Sequence, residues 1–83
     1  QGYFHMVSRN VFIVDDLFRL DELQMKIAVD FEGLPFETVG GLINHLLGRI
    51  PHKHDVCRFE NVSFKVLRAK PQKAEMVRIT IEK

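Results

Sequence analysis

The sequence predicts an α+β fold in which a strand and two helices precede a three-stranded antiparallel meander. Three observations carry this. A β-branched and aromatic run spans Asn10–Asp15, and two stretches with helical apolar spacing follow it. Beyond them, three alternating segments pair with one another in a single consistent register.

The elements follow in order. Asn10–Asp15 is apolar on both parities, so it reads as a strand covered on both faces. Asp16 is expected to open the first helix, with Leu20, Leu23 and Ile27 on one face and Asp21 and Glu22 suiting the positive end of its dipole. Asp30–Phe36 holds Gly33 and Pro35 and reads as loop. Thr38 is the expected N-cap of the second helix, whose apolar stripe is Val39, Leu42, Ile43, Leu46 and Leu47. Gly48 is its stop, with Arg49 beside the carbonyl end and Pro51 beyond.

Strands are predicted over Asp55–Phe59, Val62–Arg68 and Glu75–Glu82. Glu60-Asn61 makes the first turn, with Asn61 suited to a positive φ, and Ala69–Ala74 makes the second. Phe59 then faces Val62 and Cys57 faces Phe64, while Val66, Phe64 and Val62 face Val77, Ile79 and Ile81. The opposite parity places Ser63 against Thr80 and Lys65 against Arg78.

Size and composition bound the function. With 83 residues, 46% of them hydrophobic and 28% charged, the chain is expected to be one globular domain. No apolar run approaches the length of a membrane span. Gln1-Gly2 and His5-Met6 look like remnants of a protease site and a cloning junction. Residues 1–6 are therefore expected to be a tag remnant or linker, and residues 7–83 the domain. The lone Cys57 excludes an intrachain disulfide and suits a reducing cytoplasm. The net charge of +1 conceals an asymmetry: residues 1–47 hold three basic and seven acidic side chains, residues 48–83 nine basic and four acidic.

A search for chemistry returns little. There is no nucleophile elbow, and neither Ser8 nor Ser63 has a plausible base. Cys57 could be paired with His45, His52 or His54, but its parity aims it at the core, where a thiol is protonated and inert. No enzyme activity and no catalytic residue are expected. His52 and His54 are candidate metal ligands, yet they occupy a polar turn away from Cys57, and no metal site is expected. Asp15, Asp16, Asp21 and Glu22 lack EF-hand spacing and read as a charged helix start.

Gly40 and Gly41, in a first helical turn, cost about 2 kcal/mol against alanine. Either their backbone packs closely on the sheet or their amides hold an anion, which makes them the cofactor-binding candidates if a nucleotide binds. The basic half suggests nucleic acid, but no aromatic residue interleaves with its outer face. Lys65 and Arg78 oppose each other there, an unfavourable pairing unless an acidic protein surface covers them, so they are the partner-binding candidates.

One block carries a family resemblance. Phe36-Glu-Thr-Val-Gly-Gly-Leu-Ile-Asn-His-Leu-Leu-Gly-Arg-Ile-Pro51 resembles the signature of the CorC/HlyC transporter-associated domain, the C-terminal domain of magnesium and cobalt efflux and hemolysin-like proteins. Asn10–Asp15 with Leu20–Leu23 is similar to the family's opening strand and helix, and Asp55-Val56 with Phe64–Leu67 to its hairpin. Asp16, His54 and Asn61 stand where the family usually has glycine, and each can tolerate a positive φ. The resemblance implies a non-catalytic regulatory and interaction domain that modulates ion transport from the cytoplasmic face of a bacterial inner membrane. Its implied partners are neighbouring CBS domains and a transporter module, with no nucleic acid and no membrane insertion by this segment. It also implies a fold similar to one subdomain of FAD-binding oxidoreductases. An FAD- or adenine-nucleotide-binding module is therefore the alternative function, although no cofactor is expected.

Overall fold

The computed structural model of the chain describes residues 2–82. Gln1, assigned to the leading segment, and Lys83, counted in the basic half, lie outside the described residues. In chain order the elements are β1 (Phe4–Ser8), β2 (Val11–Asp15), α1 (Leu20–Lys26), α2 (Val39–Leu47), β3 (Val56–Phe59), β4 (Val62–Lys70) and β5 (Lys73–Ile81). The strands form one antiparallel sheet in the order β1-β2-β5-β4-β3. The α+β class, the two helices and the meander are as the sequence predicts. The meander runs from the far edge back to the centre, where β5 pairs with β2.

The predicted register is observed in full. Val62, Phe64 and Val66 oppose Ile81, Ile79 and Val77, and Cys57 and Phe59 oppose Phe64 and Val62. These side chains join Phe12 and Val14 of β2 on the inner face, against Leu20 and Leu23 of α1 and Val39, Leu42 and Ile43 of α2. All helical packing is on that one side, which follows from the order of elements: a single long connection carries both helices from β2 to β3.

Several expectations are corrected. The chain has a fifth strand, β1, whose Phe4, His5 and Met6 pair with Val14, Ile13 and Phe12. The boundary drawn before Val7 thus falls inside a strand. Its sequence, Phe-His-Met-Val-Ser, has no clean alternation, and all residues of β1 but Phe4 are exposed, so it presents no buried face to read. β2 is buried on one face only, through Phe12 and Val14, while Val11 and Ile13 are half-buried on the other.

α1 begins at Leu20, not Asp16, because the intervening carbonyls are already engaged. Asp16 O accepts from Gly40 N and Phe18 O from Val39 N, each at 2.9 Å. Arg19 and Thr38 complete this stitching with an isolated bridge. Residues 16–19 therefore run alongside the start of α2 in place of coiling. After α1 the chain is extended, burying Ile27, Val29 and Phe31 in alternation; Phe31, expected in a loop, stacks on Phe59 with ring centroids 5.5 Å apart.

α2 starts and stops as the sequence indicates. Thr38 Oγ1 accepts from Gly41 N at 3.2 Å, and Gly48 closes the helix in the left-handed region at φ 69°. In the first hairpin turn it is Glu60, not Asn61, that takes the positive φ, at 56°. Asn61 instead donates its side-chain amide to Glu82 O. The second turn is Pro71-Gln72 alone, since β4 and β5 extend to Lys70 and Lys73. Of the three positions with glycine in the resembled family, only His54 has a positive φ, 77°.

Candidate functional site

The predicted site residues fall in three places. Gly40 and Gly41 sit at the start of α2, and the first four amides of that helix all donate within the chain. Val39 N goes to Phe18 O, Gly40 N to Asp16 O, Gly41 N to Thr38 Oγ1 and Leu42 N to Thr38 O. An anion at this terminus would have to displace one of these bonds. Close approach explains Gly40, to a loop and not to the sheet as expected: a Cβ there would lie 3.0 Å from the Asp16 carbonyl oxygen, whereas at Gly41 the nearest atom, Phe36 Cβ, would be an ordinary contact at 3.4 Å. Asp16 is also the one buried charged residue among the described residues, and Lys73 Nζ meets its carboxylate at 3.1 Å.

His52 and His54 lie in the loop that joins α2 to β3. That loop is organised by a carboxylate the sequence reading overlooked. Arg49 grips Asp55 with two parallel bonds of 2.8 Å, and His52 N donates to the same carboxylate at 2.6 Å. The guanidinium and the backbone donor hold the Asp55 carboxyl at about 2, well below its ordinary range. His54 N donates to Val66 O and Val66 N to Asp55 O, which pins the loop to the sheet. The His52 ring faces Arg49 Nη1 at 3.4 Å, so a cation at that Nδ1 would meet a guanidinium. Among the described residues no three His, Cys, Asp or Glu side chains are placed to hold a metal ion. The Cys57 thiol packs against the core, and burial followed by the nearby Asp55 charge pushes it up to about 11.

Lys65 and Arg78 oppose each other across β4 and β5 on the outer face of the sheet, the side away from the helices, as predicted. Neither makes an ion pair among the described residues, whereas the neighbouring cations do. Arg58 pairs with Glu82, Arg68 and Lys70 with Glu75, and Lys73 with Asp16. The structure adds residues that sequence reasoning missed. β4 has a bulge between Val66 and Arg68, so Leu67 is an extra residue there, and Leu67 and Arg68 together line a groove with Met76. Tyr3, Ile13 and Lys53 complete its walls. A break in alternation from Val66 to Arg68 was the available signal for the bulge.

A match to the model of the transporter associated domain, CorC_HlyC, spans residues 5–83. The chain belongs to that family. Over 75 residues it is 25% identical to the magnesium and cobalt efflux protein CorC of Pasteurella multocida strain Pm70, covering 90% of this chain and 25% of that protein. The domain thus spans about a quarter of the length of that relative. A CorC-associated region from Neisseria meningitidis MC58 superposes with a TM-score of 0.86 at 19% identity, over 94% of this chain and 96% of that one. The transporter associated domain of a CBS domain protein from Porphyromonas gingivalis gives 0.82 at 14% identity, over 96% and 98%. The CorC_HlyC fold is therefore held at low sequence identity, and the two-helix, five-stranded arrangement is that of the family's solved domains. Among the described residues of this CorC_HlyC domain, no helix is long and apolar enough to cross a membrane.

Proposed function

We propose that this CorC_HlyC domain is a non-catalytic regulatory module at the cytoplasmic C-terminal end of a CorC-type or hemolysin-like divalent-cation transport protein. It acts by docking onto neighbouring modules, among them CBS domains, so that its docked and released states bias transport. The observation that carries this reading is the Lys65/Arg78 pair, two like charges side by side on an uncovered sheet face in a domain of a transporter-associated family. Such a pairing is unfavourable alone and becomes favourable when an acidic surface covers it. The structure of the molecule supports docking over chemistry, since the only cysteine is held as a thiol and the α2 amides are engaged.

The test is a Mg2+ and Co2+ efflux assay on the full-length parent, comparing wild type, a deletion of this domain and the double change Lys65→Glu/Arg78→Glu. Altered efflux in both variants, with the protein still present at normal level, is expected. Efflux unchanged by the deletion would overturn the regulatory reading.

A further inference from the structure

We infer that the outer sheet face is a cradle for an acidic protein segment, whose apolar side chains enter the groove and whose carboxylates meet Lys53, Lys65 and Arg78. The inference rests on the docking reading above and deepens it by naming the recognised chemistry and the residues that recognise it. The groove holds about 430 Å³, between Tyr3, Ile13, Leu67 and Met76 with Lys53 and Arg68 at its rim. That volume suits a few side chains of a strand or helix, not a whole domain surface.

Three features converge on it. The first is the β4 bulge, which adds Leu67 to the ladder and sets it and Arg68 against the single residue Met76. Bulges re-aim side chains beside sites, and here the result is an apolar and a basic residue lining the same recess. The second is the loop that places Lys53 in the groove wall: the Arg49–Asp55 clamp closes it on itself, and the backbone bonds of His54 and Asp55 to Val66 pin it to β4. The third is the charge pattern. Four cations of β3–β5 are paired with carboxylates; the two in those strands without such a partner among the described residues, Lys65 and Arg78, and the likewise unpaired Lys53 of the preceding loop all belong to the groove or the strands forming its floor.

The apolar side chains choose among anionic partners. Ile13, Leu67 and Met76 are half-buried in a recess, so a flat lipid surface would meet the cations without reaching them. Tyr3 is the single aromatic ring among the lining residues, beside Ile13, Leu67 and Met76, so successive bases find no row of rings to stack on, which disfavours single-stranded nucleic acid. A polypeptide that alternates acidic and apolar side chains satisfies both halves of the site.

The probe is a short soluble peptide alternating Glu and Leu, titrated into the 15N-labelled domain, with a Lys-for-Glu version and phosphatidylglycerol vesicles as the other arms. Shift changes at Ile13, Lys65, Leu67, Met76 and Arg78 with the Glu peptide are expected, together with a loss of affinity of about tenfold or more in Lys65→Glu/Arg78→Glu. Ile13→Thr, which keeps the β-branch, is expected to weaken binding while the rest of the spectrum stays native. Absence of shifts on this face, an equal response to the Lys peptide, or a stronger response to vesicles would overturn the inference. So would shifts on the same face that follow protein concentration alone, which would make a second copy the occupant. Efflux indifferent to the domain, with peptide binding intact, removes the regulatory reading and leaves the cradle; the converse removes only the cradle.

Discussion

The amide of Gly40 donates to the carbonyl oxygen of Asp16 across 2.9 Å, and a Cβ at Gly40 would stand 3.0 Å from that same oxygen. This contact ties the start of α2 to the end of β2, and through Asp16 to Glu75 O and Lys73 of β5. At Gly41 the nearest atom to a Cβ would be Phe36 Cβ at 3.4 Å, an ordinary contact. The two glycines therefore have different reasons to be there.

Replacing each by alanine separates them. Gly40→Ala gains helix propensity but forces backbone apart, and is expected to lower stability by about 1–2 kcal/mol. Gly41→Ala meets no backbone and is expected to be neutral or to stabilise by up to about 1 kcal/mol. Urea denaturation of the two variants measures both; equal effects would contradict the close-approach explanation.

How much of this was legible beforehand depended on which physical signal each residue carried. The β3–β4–β5 register could be read because Val62, Phe64, Val66, Val77 and Ile79 must all face one way, and a slip by one residue would expose them together. Thr38 and Gly48 were legible because a cap and a left-handed stop have few alternatives. α1 begins late because the carbonyls of Asp16 and Phe18 are taken by the amides of α2, a tertiary competition that no local pattern reveals. The Lys65/Arg78 face followed from parity, but Leu67, Arg68 and Lys53 joined it through a bulge and an ion pair. The bulge leaves a trace, the apolar Leu67 in a polar parity, but the side-chain pairing of Arg49 with Asp55 across a loop has no periodicity to betray it.

The Arg49–Asp55 clamp predicts an acid-sensitive loop. Asp55 ionises at about 2 in the folded chain against an ordinary 3.8, so its contribution to stability is complete above about pH 4 and lost as pH falls from there to about 2. Thermal melts across that window are expected to show the wild type losing several degrees. Asp55→Asn should melt lower than wild type at pH 7 and lose less across the same window, because its side chain has no proton to gain. A variant that kept the full wild-type acid dependence would assign it to another carboxylate.

Cys57 is expected to be a slow thiol. Raised from 9.0 to about 11 by burial and by the Asp55 charge, it holds about a hundredfold less thiolate at neutral pH than an unperturbed cysteine. Alkylation by iodoacetamide at pH 8 should be slower in proportion and should return to the free-thiol rate in denaturant. Fast alkylation of the folded protein would show that the hairpin does not shield it.

The outward pair makes the last prediction, which opposes stability to binding. Lys65 and Arg78 face each other across β4 and β5, with no carboxylate paired to either among the described residues. In the isolated domain, Lys65→Glu replaces a like-charge pair with an attractive one and is expected to add about 0.2–1 kcal/mol. The same change reverses a charge at the rim of the cradle and should weaken binding of the Glu/Leu peptide. A surface that evolved for stability alone would have no reason to keep the repulsive pair, whereas a docking face accepts that cost for recognition. Denaturation and peptide titration on this one variant measure both effects. A Lys65→Glu domain that is destabilised would show that the lysine serves the fold and not a partner.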